Sequence, residues 1–227
     1  MPPFIGCMPN SGFGAEIIYS FIIIACSLFI YYGTKEIYEL SSYKGIKYFR
    51  QAFLFFAIAY FFRSFIKFTL MYLDIWNLFK LPPQIFGNIT LIFFIYFSSM
   101  AIFYLLYSVI GKKIGENLKI YFFHLIAVAI SIICIIFKDP ITHLWINIFL
   151  FVFVIFIVLI ASGKTTGRKK KHPLYVIYVL LFFFWILNIL DILIPKFLNN
   201  FQVMIYLLSS GIFLTILYRV IKKIGSV

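Results

Sequence analysis

Seven runs of mostly apolar residues divide this chain, at roughly 15–33, 51–73, 86–110, 119–137, 140–162, 173–194 and 199–220. A helix crossing a hydrocarbon layer needs about 20 such residues, and each run meets that length. The runs consume the chain and leave no room for a separate soluble domain. Hydrophobic residues make up 64% of the sequence and charged residues 12%, against about 45–50% and 25% in soluble proteins. No soluble fold of 227 residues hides that much apolar surface, whereas a bilayer accepts it. The expectation is an all-α, polytopic protein of seven transmembrane helices. It forms one transmembrane domain over 1–227, multi-pass in the cell membrane. Codon bias accounts for the abundance of Phe, Ile and Tyr, since all three have AT-rich codons.

The charges set an orientation. Fifteen cations flank alternate ends of the runs: Lys35, Lys44, Lys47 and Arg50; Lys112, Lys113 and Lys119; Lys164 and Arg168 to Lys171; Arg219, Lys222 and Lys223. The other side has Lys80, Lys138 and Lys196. Positive loops stay cytoplasmic, so the N-terminus is expected outside and the C-terminus in the cytoplasm. The same bias explains the net charge of +13 without nucleic acid as a partner. Arg168, Lys169, Lys170 and Lys171 form a topology anchor that touches anionic lipid or docks a cytoplasmic protein. The stretch 34–50 reads either as an interfacial amphipathic helix or as extensions of the first two spans around Gly45.

A repeat runs beneath the seven spans. Ser98, Ser99, Tyr107, Val109, Ile110 and Lys112 recur 111 positions later as Ser209, Ser210, Tyr218, Val220, Ile221 and Lys223. Gly33-Thr34-Lys35 is echoed by Gly163-Lys164-Thr165, and Leu73-Asp74-Ile75 by Leu190-Asp191-Ile192. The implied plan is a three-helix unit over 1–115, a linker helix over 119–137 and a second unit over 140–227, both units oriented alike. Parallel repeats of this kind occur in sugar transporters of the SWEET type. In this three-plus-one-plus-three plan the chain resembles the PQ-loop and SWEET-type transporters, and in its seven spans opsins and G-protein-coupled receptors. The resemblance covers the architecture and carries over no functional residue. Pro83-Gln84 lies at the outer start of the third span, whereas the PQ-loop motif belongs to the first and fifth spans near their cytoplasmic ends. Residues 201–218 hold no lysine for a retinal Schiff base, and Tyr107-Ser108-Val109 stands where a receptor's Asp/Glu-Arg-Tyr triplet would be.

Ionisable groups inside a membrane are costly and mark function by default. Arg63 lies about 18 Å along the second span from Gln51, with Lys67 one turn further and Tyr60 and Ser64 on the same face. In the sixth span Asn188 and Asp191 share a face with Trp185, at a depth close to Lys67. Arg63 or Lys67 can therefore pair with Asp191 if the two helices are neighbours. Two cations against one carboxylate would leave a surplus positive charge for a small, possibly anionic ligand. The plainer reading is a structural ion pair with a snorkelling lysine. Ser98, Ser99, Ser209 and Ser210 lie near mid-membrane, as close-packing residues or as a pore lining.

The remaining candidates point away from chemistry. Cys7, Cys26 and Cys134 have no metal-like spacing. Phe4-Ile5-Gly6-Cys7 lacks the basic and apolar stretches of a lipoprotein signal, so the first span is read as an uncleaved anchor. His124, near the inner end of the fourth span, and His143, near the outer start of the fifth, lie too far apart to share a metal or haem, and are expected to meet backbone or headgroups. Asn147 and Asn88 fall near the outer ends of their spans, and the Asn88-Ile89-Thr90 sequon sits too close to the membrane for glycosylation. No Ser/His/Asp set, Asp pair or phosphate loop assembles at one depth. The expectation is a non-enzymatic protein without metal or cofactor that binds, senses or transports a ligand between its two helix units. The rivals are an accessory subunit of a membrane complex and a sensor signalling through its basic loops. Its partners are membrane lipids, with other membrane proteins or further copies of the chain.

Overall fold

The computed structural model describes residues 13–72, 83–110, 116–137, 140–163, 174–193 and 199–224. Within them are seven helices: α1 (Phe13–Ser41), α2 (Lys44–Tyr72), α3 (Pro83–Ile110), α4 (Glu116–Phe137), α5 (Pro140–Ala161), α6 (Tyr175–Leu193) and α7 (Asn199–Ile224). Each follows one of the seven apolar runs, with α1 and α2 reaching furthest beyond theirs. Proline opens α3 and α5, at the one helical position where its missing N–H costs nothing. Gly163, at φ 78°, closes α5 in the left-handed conformation that favours glycine. Its N–H bonds the Ile160 carbonyl at 3.1 Å.

Five helices are long and apolar enough to cross a membrane, through Gly14–Ser41, Ile89–Ile110, Ile120–Phe137, Leu144–Ala161 and Phe201–Lys222. The protein is thus helical and of multi-pass membrane character. In α6 the apolar stretch is shorter, Tyr175–Asp191. In α2, Arg63 and Lys67 fall within the apolar run.

The stretch 34–50 extends the first two helices. α1 runs through Thr34 to Ser41, the chain reverses at Ser42 (φ 48°) and α2 begins at Lys44. Ser42 N–H bonds the Tyr38 carbonyl at 2.8 Å. Arg50 then ties the pair together, donating through Nε to the Tyr31 carbonyl at 3.1 Å with its guanidinium over the Tyr31 ring. At 29 residues, α1 and α2 are each about 43 Å long, longer than a hydrocarbon layer of about 30 Å.

Packed pairs close a ring in the order α1–α2–α3–α5–α6–α7 and back to α1, with α4 against α3 and α5. Side chains of α2 and α6 meet across the ring. Phe49 meets Tyr178, Phe56 meets Phe184, Tyr60 meets Asn188 and Arg63 meets Asp191. Both numbers rise together, so α2 and α6 run parallel. The core between them is aromatic: Phe53, Phe56, Phe184 and Phe213 are all buried and touch ring to ring.

Gly45 marks the tightest approach. A Cβ there would sit 2.8 Å from the Ser108 carbonyl oxygen of α3 and 2.5 Å from the Tyr43 ring. The ring can swing aside, but the backbone oxygen cannot. Gly45→Ala is expected to lower stability by about 1–3 kcal/mol. Gly211→Ala, where a Cβ meets nothing within 4 Å, is expected to be neutral or to gain up to about 1 kcal/mol from helix propensity. Unfolding both variants in detergent compares them directly.

Candidate functional site

Arg63 is the centre of a polar cluster built from four helices. It lies about 29 Å along α2 from Lys44, where α1, α6 and α7 bring groups towards it. Its Nη2 is 3.1 Å from Asp191 Oδ2 of α6 and 3.3 Å from Glu16 Oε1 of α1, and Nε reaches the same Glu16 oxygen at 3.4 Å. All three side chains are more than four-fifths buried, with 18%, 14% and 11% exposure for Arg63, Glu16 and Asp191. Ions this withdrawn from water persist only when paired. The guanidinium also lies over the rings of Tyr60 (5.9 Å) and Phe94 (5.7 Å), a cation–π arrangement.

A neutral chain of hydrogen bonds lies beside the ions. Asn188 Nδ2 donates to the Phe184 carbonyl at 3.0 Å, one turn back. Its Oδ1 is thereby turned to accept from the Tyr60 hydroxyl at 3.0 Å. A hydroxyl has one proton to give, so in the 2.9 Å contact between Tyr19 and Tyr60 the donor is Tyr19. Tyr206 of α7 stacks on Tyr19 at 4.9 Å, and its hydroxyl approaches Asp191, with Glu16 and Arg63 within electrostatic range.

One group of the ion cluster is unsatisfied among the described residues. Asp191 Oδ1 is buried without a hydrogen-bond partner there.

Of the residues singled out in the sequence, the fold brings Tyr60, Arg63, Asn188 and Asp191 together. Trp185 turns elsewhere: it is buried and donates through Nε1 to the Asn147 carbonyl of α5 at 3.2 Å. Lys67 belongs to α2, but its side chain lies outside the described residues, as do the side chains of Asn88 and His143. Cys7 and the basic run Arg168, Lys169, Lys170 and Lys171 also lie outside them. Ser98, Ser99, Ser209 and Ser210 are all buried; Ser98 bonds the Ile95 carbonyl, and Ser99 Oγ has no partner among the described residues. Cys26 and Cys134 are buried and form no disulfide among the described residues. His124 Nδ1 is 2.7 Å from the Tyr96 hydroxyl of α3.

Sequence reasoning missed Glu16, Tyr19 and Tyr206. Two cations against one carboxylate was the expected balance, whereas the described cluster holds one guanidinium between two carboxylates. The signal was present, since Glu16 is the acidic residue just inside the start of the first apolar run.

An uncharacterized protein of Archaeoglobus fulgidus is 30% identical to this chain over 224 residues, covering 95% of each sequence. No protein-family model and no solved structure matches the chain.

Proposed function

The chain belongs to the family of that Archaeoglobus fulgidus protein, and we propose that it is a non-enzymatic cell-membrane protein that binds a small polar ligand at the Arg63 cluster and senses or transports it. In this reading all seven helices span. The shorter apolar stretch of α6 and the charges of α2 are accommodated because their polar residues face each other inside the ring. The basic ends lie in the cytoplasm, which puts the N-terminus and the cluster on the outer side.

The repeat supports a site between two units. Exchanging α1, α2 and α3 for α5, α6 and α7 leaves the set of packed pairs within the six-helix ring unchanged. Four pairs 111 apart are buried alike, Ser98 and Ser209, Ser99 and Ser210, Ile102 and Phe213, Leu105 and Ile216, whereas Tyr107 is buried and Tyr218 exposed. The α2–α6 seam lies where the two units meet, which is where parallel-repeat transporters bind their substrates.

The observation that carries the proposal is the buried Asp191 Oδ1, which has no hydrogen-bond partner among the described residues although its other oxygen is held by Arg63. A ligand that donates to this oxygen and accepts from the guanidinium satisfies the carboxylate within the cluster. With Glu16 already opposing Arg63, such a ligand is polar or zwitterionic rather than simply anionic.

Native mass spectrometry of the protein released from nanodiscs tests this. The expected result is a small molecule retained by the wild type and lost from Asp191→Asn. That substitution keeps Glu16 as counter-ion, so it should cost only about 1–2 kcal/mol of stability. An identical adduct on Asp191→Asn, or a wild type that carries none, sinks the reading.

The second reading, an accessory subunit, is favoured by the broad apolar faces of α4 and α5, where Tyr121, Phe122, Leu125, Trp145, Phe149 and Phe156 are exposed. Stoichiometric protein partners in the same spectra would support it.

A further inference from the structure

A second polar group sits between α3 and α4, beside Phe55 of α2. The Tyr96 hydroxyl of α3 is 2.7 Å from His124 Nδ1 of α4. Tyr104, two turns along α3 from Tyr96, has its ring 6.4 Å from the imidazole and nearly perpendicular to it. Tyr104 also stacks on Phe55 of α2 at 5.1 Å, and its side chain and that of Tyr96 interact electrostatically. All three residues are half-buried. Around them the surface of α4 is hydrocarbon, with Tyr121, Phe122 and Leu125 exposed. His124 is about 12 Å along α4 from Glu116.

A proton count shows what this group lacks. The Tyr96 hydroxyl and a neutral imidazole hold two exchangeable protons, and their mutual bond uses one. The other sits on Nε2 if the tyrosine donates, or on the Tyr96 oxygen if the imidazole does. Tyr104 adds a further O–H, with no hydrogen-bond partner among the described residues, and none is found there for His124 Nε2. Two donors are therefore unspent at a place where the surroundings are apolar and an unmade hydrogen bond is costly.

From this geometry we propose that Tyr96, Tyr104 and His124 form a membrane-facing site for the carbonyl oxygen of a hydrophobic molecule. A carbonyl has two lone pairs and no proton, so it accepts from both donors at once. A hydrophobic carbonyl compound of the quinone class reaches such a membrane-facing group through the hydrocarbon layer. A lipid ester offers the same acceptor.

The test uses the full chain labelled with 15N-histidine in nanodiscs of diether phosphatidylcholine, which has no ester carbonyl. His124 resonances are assigned by their loss in His124→Phe, and decylubiquinone is the probe. The expected result is a saturable shift of a His124 ring nitrogen, with apparent affinity about five- to tenfold weaker in Tyr104→Phe, the effect of one lost hydrogen bond. The same shift on exchanging diether for diester lipid, with no quinone added, also supports the site and identifies the lipid ester as its occupant. A His124 signal unmoved by either carbonyl source overturns the proposal. So does a Tyr104→Phe protein that titrates like the wild type. Tyr104→Phe conserves ring and volume, so its fold is expected to persist, and wild-type chemical shifts elsewhere verify that.

Discussion

Replacing Arg63 with methionine is expected to be among the most damaging single changes in this protein, costing about 3–5 kcal/mol. Methionine matches much of the arginine stem, so packing is largely kept. What is lost is the described cation between Glu16 and Asp191, whose side chains are 14% and 11% exposed. Two buried carboxylates would then lose the guanidinium they share. The penalty comes from those stranded charges rather than from the net worth of the ion pairs, since a buried pair roughly balances its desolvation cost against its Coulomb gain. Neutralising both partners should therefore restore most of the loss: Glu16→Gln and Asp191→Asn in the Arg63→Met background are expected to recover more than half of it. Denaturation of the single and triple variants in mixed micelles measures the difference. A harmless Arg63→Met, or a triple variant no better than the single, would show that the three groups do not act as one buried unit.

Phe213→Ala is expected to cost about 2–3 kcal/mol. Phe213 is fully buried and touches Phe53, Phe56 and Phe184, the last at 4.6 Å between ring centroids. In water-soluble proteins Phe→Ala in a core costs about 3–5 kcal/mol, part of it transfer from water and part the cavity left behind. In a bilayer the separated helices already keep the ring in hydrocarbon, so the transfer share falls away and the cavity share stays. The control is Phe183, the neighbour of Phe184 on α6, whose ring is 51% exposed. Lipid chains fill the space its ring vacates, and Phe183→Ala is expected to change stability by less than about 1 kcal/mol. Equal losses at the two positions would mean that Phe213 does not sit in a closed core.

The two predictions separate what lipid can repair from what it cannot. Lipid fills a gap at Phe183 but cannot supply a cation at residue 63. The helix–helix core is aromatic where α2, α6 and α7 meet, and its ions gather at the Arg63–Asp191 end of the α2–α6 seam. That change over three turns of helix, from Phe53 to Arg63, is what makes the cluster stand out as a site rather than as general polarity.

The helices were legible in the sequence because apolar runs of about 20 residues admit few other structures. Observed and expected ends differ by only a few residues, except around 34–50, where charged residues hid the continuation of α1 and the early start of α2. Periodicity could not reveal that continuation, because a helix emerging from hydrocarbon loses its apolar signature without losing its hydrogen bonds. Arg63 and Asp191 were legible as possible partners from depth alone, since ions in a membrane need counter-ions at matching height.

Glu16, Tyr19, Tyr206 and the Tyr96–His124 pair were not legible as partners. Glu16 is 47 residues from Arg63, and Asp191 is 128. Nothing local selects among the tyrosines of a chain that has 16 of them. The sequence by itself determined the helical class, the membrane character and the places where polarity needs an answer, because hydrocarbon penalises every unsatisfied group in the same way whatever the tertiary fold. Only the tertiary structure decided which helices are neighbours. That choice rests on close contacts such as Gly45 against Ser108 and Phe184 against Phe213, short-range interactions between residues far apart in the chain that no one-dimensional pattern records.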